Sequence, residues 1–115
     1  MSEENAFYRD LFSPWGELSM RKMFGGLGLY HQDKMFALVA DGELYFKVDE
    51  HSAAQFKAAR SKPFTYKSKG KNVSLSYWLA PPEIFDDSEA LIKWSNIAWA
   101  AAERTKEIKT KKKKR

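Results

Sequence analysis

The chain has 115 residues, 30% of them charged and 43% hydrophobic, which suffices for one globular domain with one hydrophobic core. Because it has no cysteine, disulfides, thiolate metal sites and cysteine nucleophiles are excluded, and a reducing compartment is indicated. The formal net charge of +5 is unevenly placed: residues 106–115 hold seven basic residues and one acid, whereas residues 1–105 hold 13 basic and 14 acidic residues, so a uniformly basic domain is excluded.

The first predicted elements are a helix and a strand that contains glycines. Glu3 to Phe12 carries its apolar residues at helical spacing, and Ser13-Pro14 ends the helix. Met20 to Tyr30 is apolar and extended in character but contains three glycines, which predicts a bulged or sharply bent strand.

A β-hairpin and a second helix come next. Asp41-Gly42 is the dipeptide favoured in two-residue type I′ turns, and it separates the predicted strands Met35 to Ala40 and Glu43 to Val48. A helix from Asp49, whose side chain would cap it, to about Arg60 follows, and Pro63 ends it.

The last elements are a second hairpin and a third helix. Phe64 to Lys67 and Val73 to Leu79 are rich in β-branched and aromatic residues, with a turn between them. After Pro81-Pro82, a group of acids begins a helix whose inner stripe contains Leu91, Trp94, Ala98 and Ala101 or Ala102.

The order of these elements predicts an α+β fold. Hairpin turns imply antiparallel pairing, so we expect a two-layer sandwich in which an antiparallel sheet packs against helices. The domain would comprise residues 1–105, and residues 106–115 would form a disordered Lys-rich tail.

No catalytic, cofactor or metal site is recognisable in the sequence. His31 and His51 are the two imidazoles, and neither has a second ligand at a spacing that places both on one face. The glycines at 25, 26 and 28 fit neither a P-loop nor a dinucleotide fingerprint. We therefore expect a non-enzymatic protein with no cofactor.

Two basic segments are candidates for contact with a partner or a nucleic acid. Between His51 and Pro82 there are six basic residues and no acid, interleaved with aromatic residues. The alternative is that these charges belong to a solvated hairpin tip and a solvating tail. The candidate contact residues are Lys62, Lys67, Lys69, Lys71, Lys111, Lys112, Lys113 and Lys114.

The run Arg21-Lys22-Met23-Phe24-Gly25-Gly26 resembles the Arg-x-Met-Phe-Gly-Gly signature of the TfoX/Sxy N-terminal domain family. The segments Met35 to Lys47, Pro63 to Tyr66, Ser76-Tyr77 and Asp87 to Ala102 also resemble that family, so the resemblance covers roughly Phe7 to Glu103. It implies an α-β(3)-α-β(2)-α sandwich similar to that of secretion chaperones, a fold often found as dimers.

The resemblance also implies a function. Members of that family regulate bacterial competence for DNA uptake, acting with the cyclic-AMP receptor protein, and the full-length regulators carry a second, C-terminal helical domain. We therefore expect a stand-alone cytoplasmic regulatory or adaptor domain that uses its sheet face or its basic hairpin to contact a protein such as a transcription regulator, or a second copy of itself, and no membrane. The alternative is weak, sequence-independent nucleic-acid binding through the basic hairpin and the tail. The signature residues Arg21, Met23, Phe24, Gly25 and Gly26 carry no established catalytic role.

Overall fold

The computed structural model describes residues 3–23, 25–68 and 71–113, with side chains at 3–23, 25–65 and 76–105. The elements, in chain order, are α1 (Glu3–Phe12), β1 (Ser19–Met23), β2 (Gly26–His31), β3 (Lys34–Ala40), β4 (Glu43–Lys47), α2 (Ala53–Ala58), β5 (Pro63–Ser68), β6 (Lys71–Leu79), a 3₁₀ turn (Pro82–Phe85) and α3 (Ser88–Lys113). The six strands form one antiparallel sheet in the order β1-β2-β3-β4-β6-β5, which confirms the α+β class.

β3 has a tight turn at each end, and the sequence predicts the second of them, Asp41-Gly42. Asp41 and Gly42 have φ angles of 52° and 78°, as a type I′ turn requires, and they join β3 to β4. Gln32 and Asp33 have φ angles of 51° and 67° and join β2 to β3. Short polar residues at these positions tolerate the left-handed conformation, which explains why the second turn is readable from the sequence.

The single bent strand expected over residues 20–30 is two strands. β1 and β2 pair antiparallel with Met23 opposite Gly26, and Gly25 between them has a φ of +71°. This left-handed conformation reverses the chain instead of bending it, because glycine adopts it without steric cost. Four strands therefore precede α2, where the resemblance implied three.

A β-bulge increases the number of aromatic side chains in the core. Leu29 pairs with Ala37, whereas Tyr30 pairs with Met35, so β3 has one extra residue, Phe36, at this point. As a result Phe36 and Ala37, although adjacent, are both buried in the same core.

The core lies between the sheet and the helices, and Phe46 of β4 is at its centre. The ring of Phe46 lies 6.2 Å from that of Phe12 in α1 and 6.4 Å from that of Phe56 in α2. Phe56 in turn lies 4.8 Å from Trp94 of α3. Each α-helix thus contributes an aromatic side chain to the same side of the sheet, which makes two layers.

The start of α3 agrees with the start predicted from the sequence, whereas the start of α2 does not. Asp87 accepts a hydrogen bond from the backbone N–H of Glu89 at the start of α3, as expected for a capping side chain. Asp49 instead accepts from the N–H groups of His51 and Ser52, which forms a turn before α2, so this helix begins at Ala53 and ends at Ala58, short of Arg60.

The C-terminal part of α3 bears on the predicted domain boundary. The helix ends at Lys113, and side chains are described as far as Thr105. The division into a domain of residues 1–105 and a disordered tail stays a prediction. No helix in the described residues is both long and apolar enough to cross a bilayer.

Candidate interaction surface

The register of the strands assigns each side chain to one face of the sheet, since directly paired residues in antiparallel strands point the same way. Phe46 pairs with Ala37 and Trp78, so this row faces the helices. The adjacent row crosses five strands and faces away from them: Arg21, Gly28, Leu38, Tyr45 and Leu79.

We call the side of the sheet opposite the helices the open face. Its described side chains include tyrosine, methionine, leucine and two cations, and most are half-buried. They include Arg21, Met23, Tyr30, Met35, Leu38, Tyr45, Lys47, Tyr77 and Leu79, and also the exposed acid Glu43, two positions before Tyr45. The α-helices place their core aromatic residues against the opposite face, and at one edge Ala102 and Thr105 of α3 line a depression together with Met35, Lys47 and Tyr77 of the open face.

Gly28 is the point at which the side chains of the open face converge. A Cβ atom at this position would lie 3.0 Å from Sδ of Met23 and 3.2 Å from Sδ of Met35 and from the Tyr30 ring. The missing side chain therefore leaves room for two flexible methionines and a tyrosine to meet above the sheet. Methionine-rich surfaces of this kind adapt to the shape of a bound partner.

The two cations of the open face lie over aromatic rings. The Arg21 guanidinium is 5.0 Å from the centre of the Tyr30 ring, and the Lys47 ammonium is 5.1 Å from the Tyr77 ring. Burial raises the pKa of Tyr77 above its usual value, and burial followed by the charge of Glu43 raises the pKa of Tyr45. Both phenols are therefore neutral hydrogen-bonding groups at physiological pH.

The signature residues occupy the edge of this face. Arg21 and Met23 contribute side chains to it, and Gly25 forms the turn that returns the chain as β2. Gly26 allows β2 to approach β3, since a Cβ atom there would lie 2.0 Å from the carbonyl oxygen of Val39. Phe24 is outside the described residues.

Of the lysines predicted as contact residues, Lys62 has a described side chain. Lys62 is exposed just before β5. Lys69 and Lys114 are outside the described residues, as are the side chains of Lys67, Lys71, Lys111, Lys112 and Lys113. Their assignment as contact residues stays a prediction.

The contacts of His31 are with other parts of the fold. Nδ1 of His31 lies 2.9 Å from the carbonyl oxygen of Glu17, which can only accept, so this nitrogen carries the proton. The His31 ring is 4.4 Å from that of Trp15 and 5.8 Å from that of Trp99. Within the described residues, no group of three potential ligands is placed to hold a metal ion.

A partly exposed charge pair joins the turn before α2 to α3. Arg104 donates to both carboxylate oxygens of Asp49, at 2.5 Å and 3.0 Å. This hydrogen bond is the main cause that lowers the pKa of Asp49 to about 2. Both charges are used in holding α3, and they line a shallow depression together with Glu50, His51 and Thr105.

The sequence indicates the sheet face as a candidate contact surface but does not indicate which residues form it. Tyr30, Met35, Tyr45 and Lys47 were assigned to strands without a function. Alternation could have separated them from the core, because Tyr45 and Lys47 interleave with the buried Leu44, Phe46 and Val48. The bulge at Phe36 breaks the same alternation in β3, which is why the pattern there is ambiguous.

Comparison with known proteins gives one family and two relatives. The model of the TfoX N-terminal domain matches residues 10–102. Protein Sxy of Escherichia coli is 32% identical over 87 residues, which are 76% of this chain and 42% of that protein. The DNA transformation protein TfoX1 of Aliivibrio fischeri is 35% identical over 63 residues, which are 55% of this chain and 30% of that protein. The chain thus matches less than half the length of either relative.

Proposed function

Since the chain belongs to the TfoX N-terminal domain family, we propose that it is a non-enzymatic regulatory domain in the control of bacterial DNA transformation, acting in the cytoplasm by binding a partner protein. The open face is the partner-binding surface. The observation that carries this assignment is the position of the signature side chains Arg21 and Met23 on the face opposite the one that holds the core aromatic residues of the helices.

The physical argument rests on the composition of that face. Leu38 is 1% exposed at its centre, and a rim of half-buried tyrosines and methionines surrounds it. A partner that covered the rim would remove further apolar area from water at roughly 25 cal/mol per Å². Tyrosine, methionine and arginine are the residue types enriched in protein interfaces.

The same surroundings support the proposal of a non-enzymatic role. The two cations of the open face lie over aromatic rings, and the Asp49 and Arg104 charges are paired with each other. Catalysis requires convergent titratable groups with a pKa matched to their task, whereas the phenols of this face have raised pKa values that keep them protonated. These groups suit recognition better than proton transfer.

The test uses transformation frequency in the source bacterium after the chromosomal copy is replaced. Arg21→Glu combined with Met35→Ser changes the open face, and Arg9→Glu combined with Met20→Ser is the matched control on the helix side. We expect the open-face variant to lower transformation at least tenfold and the control to leave it near the wild-type level. Thermal unfolding of both purified variants establishes that they are folded, and an open-face variant that is folded and fully active would contradict the proposal.

A photo-crosslinker placed at Tyr45 identifies the partner in the same cells. A crosslinked protein should appear with the probe at Tyr45 and disappear when Arg21→Glu and Met35→Ser are added. The same probe at Arg9 is the control for non-specific capture.

A further inference from the structure

Two exposed phenylalanines from distant parts of the chain meet on the helix side of the molecule. Phe7 of α1 is 51% exposed and Phe85 of the 3₁₀ turn is 46% exposed. Their rings stack with centroids 6.5 Å apart and planes 26° apart, and the Tyr8 ring lies 4.9 Å from Phe7. The molecule therefore presents two stacked phenylalanine rings to solvent, supported from below by the buried Tyr8.

Acidic side chains border this aromatic pair. Glu3 and Asp10 lie about one turn before and after Phe7 on the same side of α1, and Asp86 directly follows Phe85. All three are exposed. Of the nearby cations, Arg9 is two positions from Phe7 and so points elsewhere, and the Lys93 ammonium lies 5.2 Å from the centre of the Trp94 ring. We call Glu3, Phe7, Asp10, Phe85 and Asp86 the acidic aromatic patch.

The sequence contains a segment with the complementary chemistry. An occupant of the patch needs an apolar side chain to cover the phenylalanines and positive charges to pair with the acids. Residues 106–113 hold five lysines and one acid around Ile108. This segment therefore matches the patch in both charge and apolar content.

The geometry of α3 prevents the segment from reaching the patch of its own molecule. α3 begins at Ser88, immediately after the patch, and its backbone is helical to Lys113. At 1.5 Å per residue, Ile108 lies about 30 Å along the helix from Ser88. The patch and the basic segment are thus at opposite ends of one helix.

We propose that the acidic aromatic patch of one molecule binds the Lys-rich end of α3, residues 106–113, of a second copy. Because the two surfaces differ and lie at opposite ends of α3, the contact is heterologous and adds copies head to tail. It does not involve the open face, so it is independent of the partner binding proposed above. Exposed charges are screened beyond about 8–10 Å at ordinary ionic strength, so the association weakens with salt.

Sedimentation velocity of the full chain over a range of concentrations, at about 20 mM and about 500 mM salt, tests the proposal. The wild-type average mass should increase with concentration at low salt and approach the monomer at high salt. Asp10→Lys with Asp86→Lys, and separately Lys111→Glu with Lys112→Glu and Lys113→Glu, should each weaken association at least tenfold. Glu17→Lys with Glu50→Lys makes the same charge change as the first variant away from the patch and should not weaken it.

A mixture of the two variants decides whether these surfaces bind each other. Each variant alone has two surfaces of like charge, whereas in the mixture the reversed patch meets the reversed segment, so association should return. Phe7→Ser with Phe85→Ser should weaken association without unfolding the protein, because both side chains are about half exposed. Any one of three results would overturn the proposal. The wild-type chain stays monomeric, association persists in both charge variants, or the mixture of the two variants remains monomeric. Association that Arg21→Glu and Met35→Ser abolish would assign it to the open face instead.

Discussion

At the scale of single residues, the pair of Asp49 and Arg104 is the strongest electrostatic contact described. Asp49 accepts two hydrogen bonds from Arg104 and further ones from the backbone N–H groups of His51 and Ser52. Its side chain is 15% exposed, so solvent screens the pair less than it does a surface ion pair. The contact joins residues 55 positions apart and attaches α3, next to its last described side chain, to the loop after β4.

The lowered pKa of Asp49 predicts a pH dependence of stability. Its folded-state pKa of about 2 lies below the usual 3.8, so the pair stabilises the folded state above pH 3.8 and the contribution is lost as the pH falls towards 2. We expect Asp49→Asn to lower the free energy of unfolding by about 1–2 kcal/mol at pH 7, after allowance for the partial exposure of Arg104. The difference from wild type should shrink in acid.

Urea unfolding at pH 7 and at about pH 2.5 measures this difference. Asparagine retains an oxygen for the two backbone N–H groups, so the variant isolates the loss of charge. Glu50→Gln, a neighbouring exposed acid with no hydrogen bond to Arg104, is the control and should change stability little at either pH. A difference for Asp49→Asn that is equal at both pH values would show that the charge is not its cause.

At the scale of elements, two adjacent positions require glycine for different physical reasons. Gly25 lies in the turn between β1 and β2, and Gly26 is the first residue of β2. Gly25 has a φ of +71° and open space around its Cα, whereas a Cβ atom on Gly26 would lie 2.0 Å from the carbonyl oxygen of Val39 in β3. Gly25→Ala should therefore cost the left-handed conformation alone, about 1–2 kcal/mol. Gly26→Ala should cost about 3 kcal/mol or more, because β2 must move away from β3.

The urea midpoints of these two variants test that ranking. Their side chains are identical and their positions adjacent, so each serves as the control for the other. Gly42→Ala, with a φ of +78° and no atom within 4 Å of the added Cβ, should behave as Gly25→Ala does. If Gly25→Ala were the more destabilising of the adjacent pair, the close approach of β2 to β3 would not be the constraint.

The elements that could be predicted from the sequence are those with local causes. The turn at Asp41-Gly42 depends on two adjacent residues that tolerate positive φ, and the start of α3 depends on a carboxylate two positions from the N–H group it accepts from. The bulge at Phe36 arises from the pairing of β3 with β2. The division of residues 20–30 into two strands arises from the pairing of β1 with β2. Those causes are non-local, so residue spacing alone did not reveal them.

The two candidate surfaces also depend on non-local contacts, so the sequence indicated some of their residues but not the surfaces themselves. The signature residues Arg21 and Met23 were recognisable as a motif, but which face of the sheet they occupy follows only from strand register. Phe7 and Phe85 are 78 positions apart and became a patch only when α1 and the 3₁₀ turn packed together. The acids near Asp86 are visible in the sequence. Their position at the start of a helix is sufficient to explain them, so nothing in the sequence relates them to Phe7.

At the scale of the whole molecule, the three surfaces are chemically distinct. The open face has tyrosines, methionines and two cations, the acidic aromatic patch lies on the helix side, and the basic residues at 106–115 supply the positive net charge. Residues 1–105 carry one more acid than base. Any nucleic-acid binding should therefore depend on the C-terminal basic residues far more than on the folded domain.

The alternative function, sequence-independent nucleic-acid binding, is tested by that dependence. The measurement is fluorescence anisotropy with duplex and single-stranded DNA at two salt concentrations. If all seven basic residues at 106–115 contact phosphates, the plot of log affinity against log salt concentration for duplex DNA should have a slope of about −6. Replacing those seven residues by glutamine should abolish binding, whereas Lys67→Glu, Lys69→Glu and Lys71→Glu reduce it only if the hairpin contributes. Arg9→Gln, Lys22→Gln and Lys93→Gln are the control for loss of charge elsewhere. An absence of binding at low salt, or an affinity that does not change with salt, excludes this function, because without counterion release a nearly neutral domain has no sequence-independent attraction to the phosphate backbone.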